Sequence, residues 1–131
     1  MKEKRNDKRD RIGYVQHFAC SEHPRPRGAG RGIFRRAFSD AEREEASLRH
    51  DLAAFYAARF AVKEAVFKAV APLTEKGFDL RIVESIHRPD GSPAVRVTEK
   101  LAPYLKEADI GTLYLSITTE GDYAAAMVVA E

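Results

Sequence analysis

Two charged side chains lie four residues apart in the segment RFAVKEAVFKAV, residues 59–70. On a helix, Glu64 and Lys68 would share one face, in the Glu-before-Lys order that favours a helical ion pair. The pattern alone is typical of an exposed ion pair, which contributes little to stability. Arg59 and Lys63, about one turn away, would add positive charge suited to a phosphate-bearing substrate. Small residues are expected to leave room for a ligand or metal ion beside the Glu64 carboxylate: Ala57, Ala58, Ala61 and Ala65.

The sequence places this segment on a long helix. Ser39 and Glu42 have the spacing of a capping box, which starts a helix. No helix breaker follows before Pro72, so the helix is expected over residues 40–70, with a short break allowed near residues 49–52. Its predicted buried stripe consists of Leu48, Leu52, Phe55, Val62 and Val66.

The other segments predict strands and a second helix. A short strand is expected over residues 11–19, and a loop over residues 20–32, where prolines and glycines disfavour regular structure. The later segments predict two hairpins separated by a helix: 78–86 with 94–97, a helix over 98–109 that Pro103 weakens, and 111–120 with 122–131. This order predicts an α+β fold, with an antiparallel sheet packed against one long and one shorter helix.

The composition excludes several protein classes. With 131 residues, 44% of them hydrophobic, the chain is long enough for one core, and we expect one domain over residues 12–131. Cys20 is the single cysteine, which excludes an intrachain disulfide and a cysteine-based metal site. No apolar run approaches the roughly 20 residues that cross a bilayer, and the charged first residues are unlike a secretory signal. We therefore expect a cytoplasmic protein without a membrane partner.

Positive charge is concentrated at the start of the chain. Residues 1–36 hold eleven Lys or Arg against four acidic residues, whereas the remainder holds eleven against sixteen. Such a basic block suits a solvated tail, a nucleic acid or an acidic protein. We expect residues 1–11 to be a disordered basic tail. No recognised nucleic-acid-binding motif accompanies the charge, so no nucleic-acid partner is expected, although retention on heparin or DNA would revive that alternative.

The segment RFAVKEAVFKA, residues 59–69, resembles the signature helix of the 4'-phosphopantetheinyl transferases. The match is to the short holo-acyl-carrier-protein synthase type, whose pattern is roughly R-F-A-x-K-E-A-x-x-K-A. Three more segments are similar to motifs of that family in order and spacing: FSDAE (38–42) to its helix start, DGSPAVRV (90–97) to its N-G-x-P-x-[VI] hairpin, and LSITTEGDYAAAMVVAE (115–131) to its closing hairpin. Together they extend over about residues 33–131.

The resemblance implies the fold of that family and a transfer reaction. The family moves 4'-phosphopantetheine from coenzyme A to a serine hydroxyl of an acyl carrier protein and releases 3',5'-adenosine bisphosphate. Mg²⁺ at the pyrophosphate is implied as the cofactor. The resemblance also implies a homotrimer, in which the site is closed between neighbouring subunits.

The resemblance also implies roles for individual residues. Glu64 would be a metal ligand that helps to activate the serine, with Lys68 as its catalytic partner. Lys63 and Lys68 would neutralise phosphate charge, and Arg59 would contact the nucleotide. The other positions expected to contact coenzyme A are Gly91, Pro93, Ser116 and Thr118. Because carrier proteins are acidic near their serine, the basic run formed by Arg31, Arg35 and Arg36 is expected to bind the partner.

Parts of the family pattern differ in this chain. The family opens with I-G-[IVT]-D-[ILV], whose aspartate is the second metal ligand, whereas this chain has RIGYVQHFA with Val15 or Gln16 at that place. Gln16 is therefore the candidate second ligand, through its neutral oxygen. The glycine-rich loop after the signature helix is replaced by APL, residues 71–73, and Thr119 replaces a histidine. The missing aspartate and glycine loop support an alternative to the transferase, a non-catalytic homologue that binds a carrier protein or an acyl-coenzyme A.

Overall fold

The computed structural model describes residues 36–120 and 123–131, together with the backbone of residues 17–24. This part of the chain forms an α+β fold, as predicted. Its helices and strands are β1 (His17–Pro24), α1 (Asp40–Ser47), α2 (Leu52–Val70), β2 (Glu84–His87), β3 (Pro93–Arg96), α3 (Ala102–Glu107), β4 (Leu113–Glu120) and β5 (Tyr123–Ala130). Two short 3-10 turns lie at Ala71–Leu73 and Leu80–Ile82. The predicted tail over residues 1–11 lies outside the described residues.

The strands form two antiparallel sheets in the described residues, where a single sheet was expected. β5 is the central strand of the order β1-β5-β4, and β2 pairs with β3 in a separate hairpin. Ala130 of β5 lies opposite His17 of β1 on one side and Leu113 of β4 on the other. The closing hairpin predicted from the sequence is therefore present, and β1 extends it by a third strand.

Small side chains let α2 lie close to the three-stranded sheet. Ala61, Ala65 and Val66 of α2 are fully buried and belong to one hydrophobic cluster with Val128 and Ala130 of β5. The expectation that the alanines line an approach to Glu64 is therefore wrong for Ala57, Ala61 and Ala65, since these are buried in the protein interior. Close packing of this kind fixes the orientation of α2.

The long helix is interrupted where a break was allowed. α1 ends at Ser47, and α2 begins after Asp51, whose carboxylate accepts a hydrogen bond from the Ala54 amide at 3.0 Å. Val62 and Val66 are buried as predicted. Leu48 and Leu52 are 82% and 46% exposed, so the prediction that they are buried was wrong. Both lie beside the break between α1 and α2, where the helical periodicity is interrupted. Within the described chain, no helix has the length and apolarity required to span a bilayer.

The strand predicted over residues 78–86 is wrong for most of its length. Its middle is the 3-10 turn Leu80–Ile82, and β2 begins only at Glu84. The Asp79 carboxylate accepts a hydrogen bond from the Arg81 amide at 2.8 Å, which favours a turn over an extended chain.

Two other boundaries also differ from the prediction. Residues 20–24, expected to be loop, belong to β1, since they pair with β5; Pro24 is tolerated there because β1 lies at the edge of the described sheet. Of the strand predicted over residues 11–19, residues 11–16 lie outside the described chain. The helix predicted over 98–109 is only the six residues of α3, with Pro103 in its first turn, where a missing N–H removes no helical hydrogen bond.

Candidate active site

Glu64 and Lys68 lie beside a shallow depression at the edge of α2. The depression has a volume of about 230 Å³, and Phe67 and Leu80 complete its lining. Glu64 is half-buried and Lys68 is exposed. A ligand here would meet one negative and one positive side chain next to apolar walls, so this place suits a molecule with both charged and apolar parts.

Aromatic packing supports the wall formed by Phe67. Its ring meets Phe78 edge-on at a centroid distance of 5.2 Å, and Phe78 lies 5.1 Å from Tyr104 of α3. Gly77 adopts a positive φ of 66°, and a Cβ there would lie 3.6 Å from Phe67. Since L-residues rarely adopt this φ, glycine allows the chain to turn closely over the ring. The wall is thus held by contacts from outside α2.

Lys63 directly precedes Glu64 but is buried, with 1% of its surface exposed. Its Nζ donates hydrogen bonds to Glu42 Oε1 at 2.7 Å, Leu80 O at 2.9 Å and Val83 O at 2.5 Å. Burial lowers the pKa of the Lys63 ammonium, while the Glu42 carboxylate acts in the opposite direction. Since an ammonium has three N–H donors, the expected role in phosphate neutralisation does not fit Lys63 in this arrangement.

Arg59 is buried on the same face of α2, one turn before Lys63. Its guanidinium donates to the carbonyl oxygen of Ser85 at 2.5 Å and to the Ser85 hydroxyl, and it pairs with Glu45 at 3.2 Å. Burial lowers its pKa, and the nearby Glu45 and Glu42 oppose that effect. The contact with a nucleotide that the sequence predicted therefore does not fit the position of Arg59, since only 5% of its surface is exposed.

Gly91 and Pro93 belong to the β2–β3 hairpin. Gly91 has a φ of 86° in the turn, where a Cβ would meet no atom within 4 Å, and Pro93 begins β3 opposite His87. Asp90 stabilises the turn by accepting hydrogen bonds from the amide and hydroxyl of Ser92. Neither of the two predicted residues lines the depression beside Glu64.

Ser116 and Thr118 are exposed on one face of β4. Thr118 lines a second depression, together with Glu120, Tyr123 and Ala125. Within one chain, the structure therefore does not bring these two residues to the Glu64 depression, and their predicted contact with coenzyme A stays a prediction.

The remaining predicted residues lie at the start of the chain. Gln16, Arg31 and Arg35 are outside the described residues, whereas Arg36 is described and exposed. No group of three or more His, Cys, Asp or Glu side chains close enough to hold a metal ion occurs in the part of the chain that the structure describes. A metal ion at Glu64 would accordingly depend on further ligands from substrate, water or other residues.

Sequence reasoning missed the partners of the two buried cations. Glu42 was interpreted only as part of a capping box, which it does form, yet it is buried and also accepts the bond from Lys63. Glu45, Ser85 and Leu80 carried no local signal. The one available clue was the spacing of Arg59 and Lys63, which puts two cations on one face of a helix rich in small apolar residues.

Similarity to known proteins agrees with the sequence motifs. The family model for the 4'-phosphopantetheinyl transferase superfamily matches residues 15–128. A holo-[acyl-carrier-protein] synthase from Idiomarina loihiensis is 36% identical over 102 residues, which cover 78% of this chain and 81% of that protein.

Two examples show the similarity in fold to solved structures. The holo-[acyl-carrier-protein] synthase from Neisseria meningitidis has a TM-score of 0.77 and 26% identity, covering 90% of this chain and 99% of that one. The ACPS–CoA complex from Chronobacterium ammoniagenes has a TM-score of 0.70 and 28% identity, covering 87% and 95% of the two chains. The similarity thus extends well beyond the signature helix.

Proposed function

This chain belongs to the 4'-phosphopantetheinyl transferase superfamily, and we propose that it transfers 4'-phosphopantetheine from coenzyme A to a serine of an acyl carrier protein. One observation of the structure carries the proposal. The Glu64 and Lys68 side chains of the signature helix lie together at an accessible depression, within a fold similar to that of the synthases. Phosphoryl transfer needs little more from a protein than positioning and charge stabilisation, and this pair supplies both.

The reaction exchanges one P–O bond for another. The serine oxygen of the carrier attacks the phosphorus next to pantetheine, the bond to the bridging pyrophosphate oxygen breaks, and 3',5'-adenosine bisphosphate leaves. We assign to Glu64 the removal of the serine proton and to Lys68 the stabilisation of charge on the phosphate oxygens. The apolar walls at Phe67 and Leu80 suit an uncharged part of the substrate.

Magnesium is proposed as the metal cofactor, with the Glu64 carboxylate as one ligand. Mg²⁺ is commonly held by one or two carboxylates together with substrate phosphates and water, and a half-buried carboxylate at an open depression fits that requirement. When bound, the ion would neutralise the pyrophosphate charge. Gln16 is proposed as a second, neutral ligand.

The carrier protein is proposed to dock at the basic segment before α1. Arg36 is exposed, and Arg31 and Arg35 precede it in the sequence. α1 itself exposes the acidic residues Asp40 and Glu44, which would repel an acidic carrier. Opposite charge steers association, so the contact is expected at the arginines rather than along the exposed face of α1.

A homotrimer is proposed from three exposed large side chains on one face of the β4–β5 hairpin. Tyr114, Tyr123 and Met127 are 53%, 58% and 43% exposed, and the strand register puts them on the same face of the sheet. Contact with another copy of the chain would cover these residues and bring a second subunit near Ser116 and Thr118. The size of the particle in sedimentation is the measurement that tests it, and a monomer at micromolar concentration contradicts it. A cytoplasmic location stays a prediction.

The transferase activity is tested with the full chain, coenzyme A, Mg²⁺ and a panel of apo carrier proteins. We expect the mass of one carrier to increase by one phosphopantetheine group. Glu64→Gln should abolish the increase, whereas Glu99→Gln, an exposed carboxylate outside the Glu64 depression, should retain it. If no carrier is modified while coenzyme A still binds, the non-catalytic hypothesis replaces the transferase.

A further inference from the structure

Lys63 connects three segments that are far apart in the sequence. Its three hydrogen bonds end on α1 at Glu42, on the 3-10 turn at Leu80 and on the residue before β2, Val83. The ammonium also lies 5.0 Å from the centroid of the Phe38 ring, which is fully buried. The side chain is therefore placed between segments of the protein, with no surface left for a substrate.

Arg59 repeats this arrangement one turn earlier on α2. It joins Glu45 of α1 to Ser85 of β2 through its guanidinium. We refer to Glu42, Glu45, Arg59 and Lys63 as the ion-pair cluster. Through this cluster α1 and the start of β2 are both attached to the same face of α2.

The carbonyl oxygen that Lys63 holds belongs to a residue of the candidate active site. Leu80 lines the depression together with Glu64, Phe67 and Lys68. Leu80 lies in a short 3-10 turn, whereas Glu64 lies on a long packed helix, so their separation depends on contacts between the two segments. The bond from Lys63 to Leu80 O is one such contact, because Lys63 is the neighbour of Glu64 on α2.

We propose that Lys63 is a positioning residue of the coenzyme site, with Glu42 as its counter-ion. It holds the Leu80 wall at a fixed place beside Glu64 and does not contact coenzyme A. The proposal rests on the proposed function in one respect: the Glu64 depression is taken as the place where coenzyme A binds.

The test is a double-mutant cycle of Lys63→Met and Leu80→Ala. For each variant, calorimetry measures the dissociation constant of coenzyme A, and carrier modification measures kcat and KM. Each single variant is expected to weaken coenzyme A binding about tenfold, as expected for loss of one well-placed contact. The KM for coenzyme A should increase and kcat should change much less. The combined variant should bind about as weakly as either single variant, because Lys63 acts through the wall that Leu80→Ala removes.

Stability is separated from positioning by a second background. Lys63→Met leaves the buried Glu42 carboxylate without its cation, whereas Glu42→Gln with Lys63→Met removes both charges. The latter pair should recover thermal stability while coenzyme A binding stays weak, because Leu80 O still lacks its donor. If Lys63→Met alone does not fold, the whole cycle is measured in the Glu42→Gln background. Lys106→Met, an exposed lysine on α3, is the matched control and should change neither quantity.

Three results would overturn the positioning role while leaving the transferase intact. They are unchanged coenzyme A affinity in Lys63→Met, strictly additive losses with Leu80→Ala, and affinity that recovers together with stability in the Glu42→Gln background. Additive losses would instead indicate that Lys63 contacts coenzyme A itself. If the wild-type chain does not bind coenzyme A, both the proposed function and the positioning role fail.

Discussion

Lys63 and Glu64 are neighbours in the sequence, yet they lie in opposite environments. Lys63 is buried, and its ammonium donates hydrogen bonds to Glu42, Leu80 and Val83. Glu64, in contrast, is half-buried at an open depression. Arg59 belongs to the first environment and Lys68 to the second. One helix therefore has an inner face whose charges hold the fold together and an outer face whose charges border an open depression. The same four-residue spacing occurs on both faces, between Arg59 and Lys63 and between Glu64 and Lys68.

The largest expected effect is on the outer face. Glu64→Gln replaces a carboxylate by a neutral side chain of the same size, so the packing of α2 should be unchanged. Removal of a positioned general base typically costs about 100-fold to 10,000-fold in rate. We expect a loss of this size in carrier modification, with a thermal midpoint within experimental error of wild type. A large loss of stability in Glu64→Gln would contradict the division of α2 into a structural inner face and a functional outer face.

Variants of the inner face should lower stability in addition to their effect on coenzyme A binding. Lys63→Met breaks a buried ion pair and is expected to lower the free energy of unfolding by about 3–5 kcal/mol. Lys68→Met, the matched change on the exposed face, should alter it by less than about 0.5 kcal/mol. Urea unfolding of the two variants measures both values. Equal destabilisation would mean that the two lysines do not differ in burial.

The basic segment before α1 is the proposed binding surface for the carrier protein. Reversing Arg35 and Arg36 to Glu should weaken carrier binding by about tenfold at low salt, and less at higher ionic strength because surface charge is screened. Coenzyme A binding should be nearly unchanged, since the depression beside Glu64 is lined by other residues. An unchanged KM for the carrier would remove these arginines from the interface.

The smallest expected effect concerns the metal. Gln16→Asp, or Val15→Asp if that position is the correct one, would add a second carboxylate for Mg²⁺. We expect half-maximal activity at a several-fold lower Mg²⁺ concentration, because Mg²⁺ is commonly held by one or two carboxylates and the variant would supply the second. A Mg²⁺ titration of activity measures it. If neither variant shifts the midpoint, neither residue lies near the metal.

The sequence alone determined the local features and the family. The capping box at Ser39, the break near residue 50 and the closing hairpin follow from short-range preferences of the chain. The segment around Glu64 predicted the family, and the family model and the fold of the synthases confirm that prediction. The strand predicted over residues 78–86 was wrong where the Asp79 carboxylate accepts a hydrogen bond from the Arg81 amide, which favours the 3-10 turn at Leu80–Ile82.

Only the tertiary structure decided which face of α2 is covered. Helical spacing predicts that Arg59 and Lys63 share one face of α2 and that Glu64 and Lys68 share another, because each pair is separated by four residues. The partners that bury Lys63 come from Glu42, on a different helix, and from Val83, beyond the next two turns of the chain. Burial is a property of what packs against a residue, and those contacts are long-range. Periodicity therefore predicts which residues share a face, whereas the packing of α1 and β2 against α2 determines that one face is buried and the other borders an open depression.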